Sequence, residues 1–273
     1  MASSIHPSAI IAPGAEIGND VTIGPYAVIE EHVRLGDRCV IGPHVYLTGH
    51  TAIGGGTNIH AGAVIGDEPQ DLHYNGELSY VDIGENCVIR EYVTIHRGTE
   101  EGSHTVVGNN VLLMAFVHLG HNCQIGDEVV IANASLLAGR VEVAHHAFIS
   151  GDVKVHQFVR IGRLAMVGGG NAVKQDVPPF CLLQENVIQS PNIVGLRRSG
   201  LDDATRHAIR NAIKIYFFNG LNRMNAMAEI REKVPDLPEV REFLDFVGST
   251  TRGITPSHQP EAAAPKDAAT TEP

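Results

Sequence analysis

Fifteen histidines are spread along this chain of 273 residues. Those whose surroundings could do chemistry are His118, His121 and His156. A neutral imidazole accepts a proton from a hydroxyl, and a well-placed histidine base contributes ~10²–10⁴-fold. Gly139 follows His121 by 18 residues, and Gln157 follows Gly139 by 18 more. A glycine offers a backbone N–H with no side chain to shield it. One such donor to a tetrahedral oxyanion is worth roughly 2.7–4 kcal/mol. His121 with Gly139 would suit acyl transfer from an activated thioester, which needs no serine or cysteine nucleophile. A lone turn histidine is as readily a solvated surface group, so the chemistry requires an element that brings residues 18 apart together.

A repeat supplies that element. From Ile5 to Val173 there are 29 positions at six-residue spacing, and 26 carry Ile, Leu or Val. The exceptions are Asp71, Glu77 and Glu101. Four residues after each aliphatic, a second register holds small or β-branched residues such as Ala9, Ala27, Val45, Ala63 and Val117. Cys39, Cys87 and Cys123 share it and read as small core residues. A period of six fits neither a helix at 3.6 nor a long strand at 2. It fits short strands joined by tight turns, and its evenness keeps the same side chains inward. Glycines after the aliphatics, such as Gly18, Gly24 and Gly126, mark corners that would need unusual backbone angles. Three hexads make an 18-residue coil, so residues 18 apart stack. His121, Gly139, Gln157 and Gln175 form one outward column, flanked by Gly120, Ala138, His156 and Lys174 and by Asn122, Arg140, Phe158 and Asp176.

The hexads span residues 1–180, broken by polar stretches at 66–82 and 100–106 that read as surface loops. Both lengths preserve the phase, so phase alone does not show whether they are extruded. Residues 181–253 read as a connector and a small helical domain. Helices are expected over 202–219, capped by Asp202 and ended by Gly220, and then over 222–233 and 238–247. Residues 254–273, rich in Pro, Ala and Thr, read as a disordered tail. The absence of Trp and the 5% aromatic content suit a narrow core of repeated aliphatics.

The net charge of −11 hides an asymmetry. Residues 1–139 carry 4 Lys/Arg against 16 Asp/Glu (−12), residues 140–223 carry 11 against 6 (+5), and residues 224–273 carry 5 against 9 (−4). Net acidity argues against nonspecific nucleic-acid binding, and the basic stretch could steer an acidic partner. No apolar run reaches the ~18 residues that span a bilayer, and the start, MASSIHPSA, lacks the basic and apolar regions of a secretory signal. The expectation is a cytoplasmic protein without stable membrane insertion. The four cysteines include no CxxC pair, which excludes zinc ribbons and redox motifs.

The hexapeptide pattern resembles the left-handed parallel β-helix acyltransferases. The segments QDL (70–72), TIHRGT (94–99), HLGHNC (118–123), LAGRV (137–141), VHQF (155–158) and QDVPP (175–179) look like the UDP-N-acetylglucosamine O-acyltransferase family, which performs the first step of lipid A biosynthesis. The resemblance covers about residues 1–252. It implies that His121 deprotonates the 3-hydroxyl of a UDP-sugar, which attacks an R-3-hydroxyacyl thioester on acyl carrier protein. It implies that Asp71 orients His121 and that the Gly139 N–H forms the oxyanion hole. Substrate contacts are implied for Gln70, His73, His118, Arg140, His156, Gln157, Asn192 and Arg198. Gly169, with Met166 nearby, matches the acyl-chain ruler. The family is a homotrimer with grooves between adjacent β-helices, uses no cofactor beyond the carrier thioester, and binds no metal. The basic C-terminal region would receive the carrier protein.

Several positions depart from the family pattern. His73 replaces a lysine, Arg140 a histidine, Asn122 an aspartate, and Ser199 the second residue of an arginine pair. Two residues also look missing between Gln184 and Asn192. These changes bear on the sugar contacts and leave a 3-amino acceptor open, as well as another acyltransferase activity of this fold. A metal enzyme of the γ-carbonic-anhydrase kind shares the β-helix, but His118-x-x-His121 does not match its spacing. A noncatalytic scaffold would leave the His121–Gly139–Gln157 column unexplained.

Overall fold

The computed structural model describes residues 3–257. Residues 4–173 form a left-handed parallel β-helix of mostly two-residue strands on three faces, with nine, nine and eight strands, and the first of these sheets is extended to eleven by two strands that follow the coils. The coil repeat is visible in the register. Ser4 pairs with Thr22, Ile10 with Val28 and Glu16 with Arg34, each 18 residues on. Along the core run the hexad aliphatics, from Ile23, Ile29 and Ile41 to Val155, Ile161 and Val167, all at most 4% exposed. The small register, including Cys39, Cys87 and Cys123, fills the space between them, and the fourth free cysteine, Cys181, is buried in the strand beyond the last coil.

Register also settles the two polar stretches. Asn58 pairs with Val88, 30 residues on, and Val88 with Leu112, 24 on. Twelve residues are therefore extruded from the first stretch and six from the second, while the coils stack on as if uninterrupted. Asp71, Glu77 and Glu101 break the aliphatic series because they ride on these loops.

The glycine expectation is corrected. Positive φ occurs at the third position after most of the aliphatics, usually at non-glycine residues. Asp20, Tyr26, His44, Asn122, Arg140 and Phe158 have φ between 55° and 64°. The glycine directly after an aliphatic has another cause, the close approach of successive coils. A Cβ on Gly120 would lie 2.9 Å from the Gly139 nitrogen. The corner between these two positions holds Pro7, Pro13, Pro25 and Pro43 in other coils. Proline fits there because the ladder does not use that N–H.

Beyond the last coil, the connector is more ordered than expected. Cys181–Gln184 and Val187–Pro191 form an antiparallel hairpin on the eleven-stranded sheet. The short helix α1 (Ile193–Arg198) follows. Helices α2 (Asp203–Phe218), α3 (Arg223–Lys233) and α4 (Pro238–Gly248) fall where the sequence places them, and Asp202 Oδ1 accepts the Thr205 N–H that caps α2. The disordered-tail reading is corrected at 254–257. Ile254 bridges to Asp176 and Ser257 to Ile188, because the chain folds back over the last coil and buries Thr255. The remainder of that reading, 258–273, lies outside the described residues.

Candidate active site

The nine-stranded sheet carries His118, Leu136, Lys154 and Ala172 in register on its outer face. The corner beside it stacks His121, Gly139 and Gln157. Together with His96 and His156 they surround a cavity of about 530 Å³, with Gln70 and Lys174 at its rim. The 18-residue column is thus a physical row of neighbours.

Each edge of the His121 ring is addressed by one extruded loop. The first loop brings Asp71, whose Oδ2 lies 3.8 Å from His121 Nε2. His73 holds Asp71 in place: its backbone N–H donates to Asp71 Oδ1 at 2.9 Å, and its Nδ1 lies 3.1 Å from the same oxygen. These bonds, the backbone one first, keep the Asp71 carboxyl below its ordinary range. The loop is pinned at its base by Arg97, which donates to the Gly66 carbonyl at 2.9 Å and to the Tyr74 hydroxyl at 3.0 Å, and by His96, which bonds the Glu68 carbonyl.

The other ring nitrogen, Nδ1, lies 2.8 Å from Asn122 Oδ1. That oxygen also accepts the Thr99 backbone N–H at 3.2 Å. A backbone N–H can only donate, so the amide orientation is fixed, and an amide oxygen can only accept. His121 Nδ1 therefore carries the proton. In the neutral ring Nε2 holds the free lone pair, on the side of Asp71 and Gly139. Gly139 is small for a local reason: an added Cβ would sit 2.3 Å from Nε2. Its N–H, at the corner where other coils carry proline, donates to no acceptor among the described residues.

His118 lines the floor. Its Nδ1 is 2.8 Å from the Thr94 hydroxyl, and its ring meets His96 edge to face at 5.2 Å. Burial, aided by the neighbouring His96, pushes its pKa down to about 4. Burial lowers His96 as well, against the opposing bond to Glu68. Both rings are therefore neutral at neutral pH, while Lys174 and Lys154, the latter paired with Asp152 at 2.6 Å, line the wall.

Within one chain the cavity gathers Gln70, His118, His121, Gly139, His156 and Gln157, with Asp71 beside them. It does not gather the other sequence candidates. His73 points to solvent and serves Asp71. Arg140 is turned away to pair with Glu100 and stack over Phe158. The Asn192 amide caps α1 through Gly195 and holds the Leu164 carbonyl, and Arg198 sits exposed in the last turn of that helix. Met166 belongs to the eleven-stranded sheet, a different face, and Gly169 lies at the corner after it. The sequence reading missed His96 and Lys154. Lys154 follows His118 by two coils, so column counting could have found it. His96 required the loop lengths.

Residues 2–31 and 104–139 match the bacterial transferase hexapeptide repeat, and residues 176–255 match the family described as Udp N-acetylglucosamine O-acyltransferase, domain 2. The chain is 45% identical over 251 residues to the acyl-[acyl-carrier-protein]–UDP-N-acetylglucosamine O-acyltransferase of Sinorhizobium medicae, covering 90% of this chain and 93% of the relative. It is 41% identical over 256 residues to that of Stutzerimonas stutzeri, covering 93% and 99%. Among solved structures, the UDP-N-acetylglucosamine acyltransferase of Bacteroides fragilis superposes with a TM-score of 0.88 at 40% identity, covering 92% of this chain and 99% of that one. That of Francisella novicida gives 0.89 at 35%, covering 93% and 94%. Fold and site define an acyltransferase of the hexapeptide β-helix class. More narrowly, identity over nearly the whole length shows that the chain belongs to the UDP-N-acetylglucosamine O-acyltransferase family.

Proposed function

We propose that the protein transfers an R-3-hydroxyacyl chain from acyl carrier protein to the 3-hydroxyl of UDP-N-acetylglucosamine, the first step of lipid A biosynthesis, with His121 as general base. The observation that carries this reading is the free lone pair on His121 Nε2, facing Gly139 and Asp71. Nε2 takes the proton of the sugar hydroxyl as its oxygen attacks the thioester carbonyl carbon. The Gly139 N–H receives the negative charge on the carbonyl oxygen. The intermediate then collapses, the carbon–sulfur bond breaks, and the imidazolium returns its proton to the departing thiolate. Asp71, beside Nε2, stabilises the imidazolium while it exists. Lys154, Lys174, His156 and Gln157 offer charge and hydrogen bonds to the nucleotide sugar.

The acyl donor is a carrier thioester and no further cofactor takes part. Arg197, Arg206 and Arg210 line a small cavity of about 330 Å³ between α1 and α2, a cationic feature suited to the acidic carrier protein. Met166, Gly169, Asn192 and Arg198 lie away from the chain's own His121, which fits a homotrimer in which each groove is completed by a neighbour. Among the described residues no helix is long and apolar enough to cross a membrane, and the substrates are those of the cytoplasm.

A transfer assay with hydroxyacyl carrier proteins and UDP-N-acetylglucosamine tests the reading. His121→Ala should abolish turnover while circular dichroism and light scattering report a folded trimer. Near-wild-type turnover overturns it. Competition between the 3-hydroxyl and 3-amino acceptors decides the sugar, and preference for the amine would redirect the substrate assignment without touching the base.

A further inference from the structure

We propose that Glu100, on the second extruded loop, is a positioning residue for His121, acting through Asn122, and that Arg140 anchors Glu100 and does not bind substrate. The inference rests on the general-base reading of His121. Asn122 Nδ2 donates to Glu100 Oε2 at 3.4 Å, while Asn122 Oδ1 accepts from His121 Nδ1 at 2.8 Å. Arg140 pairs with Glu100 Oε1, the other carboxylate oxygen. The Thr99 hydroxyl lies 3.0 Å from both Glu100 Oε2 and Asn122 Oδ1. The Asn122 backbone N–H donates to Thr105 Oγ1 at 2.7 Å, just beyond the loop. Loop and corner are thus stitched by the side chains of Thr99, Glu100, Thr105, Asn122 and Arg140, and the last link is the base.

The arrangement has a chemical consequence. An amide beside an imidazole specifies a tautomer only while the amide is prevented from turning over. A flip would present Nδ2 to Nδ1 and place the proton on Nε2, where it blocks proton abstraction. Thr99 N–H and Glu100 hold opposite ends of the Asn122 amide and forbid the flip. Glu100 needs a cation to stay put on an exposed loop, and Arg140, one coil further along the Asn122 column, provides it. Asp71 and His96 also lie near the ring and His118 lines the same cavity, but none of them bonds Nδ1 among the described residues.

The test uses the full-length protein. Glu100→Ala is expected to lower kcat about 10-fold with KM for both substrates within twofold. Glu100→Gln, which retains an oxygen for Asn122 Nδ2, should recover to within threefold of wild type. In ¹⁵N-histidine-labelled protein, the His121 nitrogen shifts should report the Nδ1–H tautomer in wild type and a mixture in Glu100→Ala. Arg140→Met should follow the same kcat pattern. Unchanged kcat and an unchanged His121 tautomer in Glu100→Ala overturn the proposal. So does a 10-fold rise in KM for the UDP-sugar with unchanged kcat in Arg140→Met, which would make Arg140 a substrate ligand. His121→Ala in the same assay separates the two readings: residual activity there removes the base itself, whereas an inactive His121→Ala with an unaffected Glu100→Ala removes only the loop's role.

Discussion

The Cβ that Gly139 lacks would lie 2.3 Å from His121 Nε2. No side chain fits between the two coils at this point without moving the imidazole. The requirement is spatial, since Gly139 does not occupy the left-handed backbone region that favours glycine. Gly139→Ala should therefore leave the β-helix intact, with thermal unfolding within a few degrees of wild type, and push the ring out of line. A base displaced by about 1 Å costs on the order of 10²-fold, so kcat should fall by that factor or more. A Gly139→Ala enzyme with wild-type kcat would mean that the ring position seen here is not the one used.

Acid sensitivity follows from His118. Its folded pKa of about 4 lies below the unfolded value of about 6.5, so the unfolded chain binds the extra proton between those limits. The contribution to stability is full above about pH 6.5 and is lost as the pH falls toward 4. For a ring still partly open to solvent the loss amounts to about 2–3 kcal/mol. His118→Gln removes this slope while the other histidines keep theirs. Urea unfolding at pH 7.5 and pH 5 should show a smaller acid loss in the variant. Equal losses in the two proteins would rule out His118 as the source.

The β-helix was legible because an even period of six repeats one physical demand, an inward aliphatic on every short strand. Column counting then placed His121, Gly139, His156 and Gln157 together. The backbone angles were not legible: Asn122, Arg140 and Phe158 adopt positive φ without glycine, and the glycines answer to coil spacing. Residue contacts across the loops were hidden for a related reason. Glu100 reaches Asn122 across 22 residues only because six residues are extruded between their coils, and a phase-preserving insertion leaves no trace in the period. The short helix α1 escaped notice because six residues carry too little periodicity to read. The folded-back residues 254–257 were misread because their order comes from partners on the last coil and hairpin.

That last contact is itself testable. Asp176, whose side chain is 1% exposed, accepts the Arg160 backbone N–H at 2.9 Å and its guanidinium at 2.9 and 3.1 Å. The Thr250 hydroxyl adds a bond at 2.8 Å. Arg160 also stacks 4.5 Å above Phe246 and donates to the Phe246 carbonyl. One carboxylate therefore joins the last coil, α4 and the returning segment. Breaking a buried pair costs about 3–5 kcal/mol. Asp176→Ala should fall at the low end, near 3, because Arg160 retains the Phe246 carbonyl. Urea midpoints should shift accordingly, and amide exchange should accelerate in residues 249–257. An unshifted midpoint would show that Asp176 is not the joint.

The acyl-chain ruler reading of Gly169 is open to a direct test. A Cβ there would meet the Gly151 carbonyl at 3.2 Å and Ser150 Cβ at 3.8 Å, so a side chain is admitted with a shift of a few tenths of an ångström. It would project from the exposed corner after Met166, on a different face from the chain's own Leu136–Lys154–Ala172 row, and on the proposed homotrimer reading it would enter a neighbour's groove. Methionine would then occupy room otherwise filled by three or four methylenes of the acyl chain. At ~0.8 kcal/mol per buried methylene, Gly169→Met should lower kcat/KM for the preferred hydroxyacyl chain about 100-fold. Donors shorter by four carbons should lose little. Measuring kcat/KM across carrier proteins that differ by two carbons checks this. A uniform loss at every length would place Gly169 outside the acyl path, and an unchanged profile would do the same.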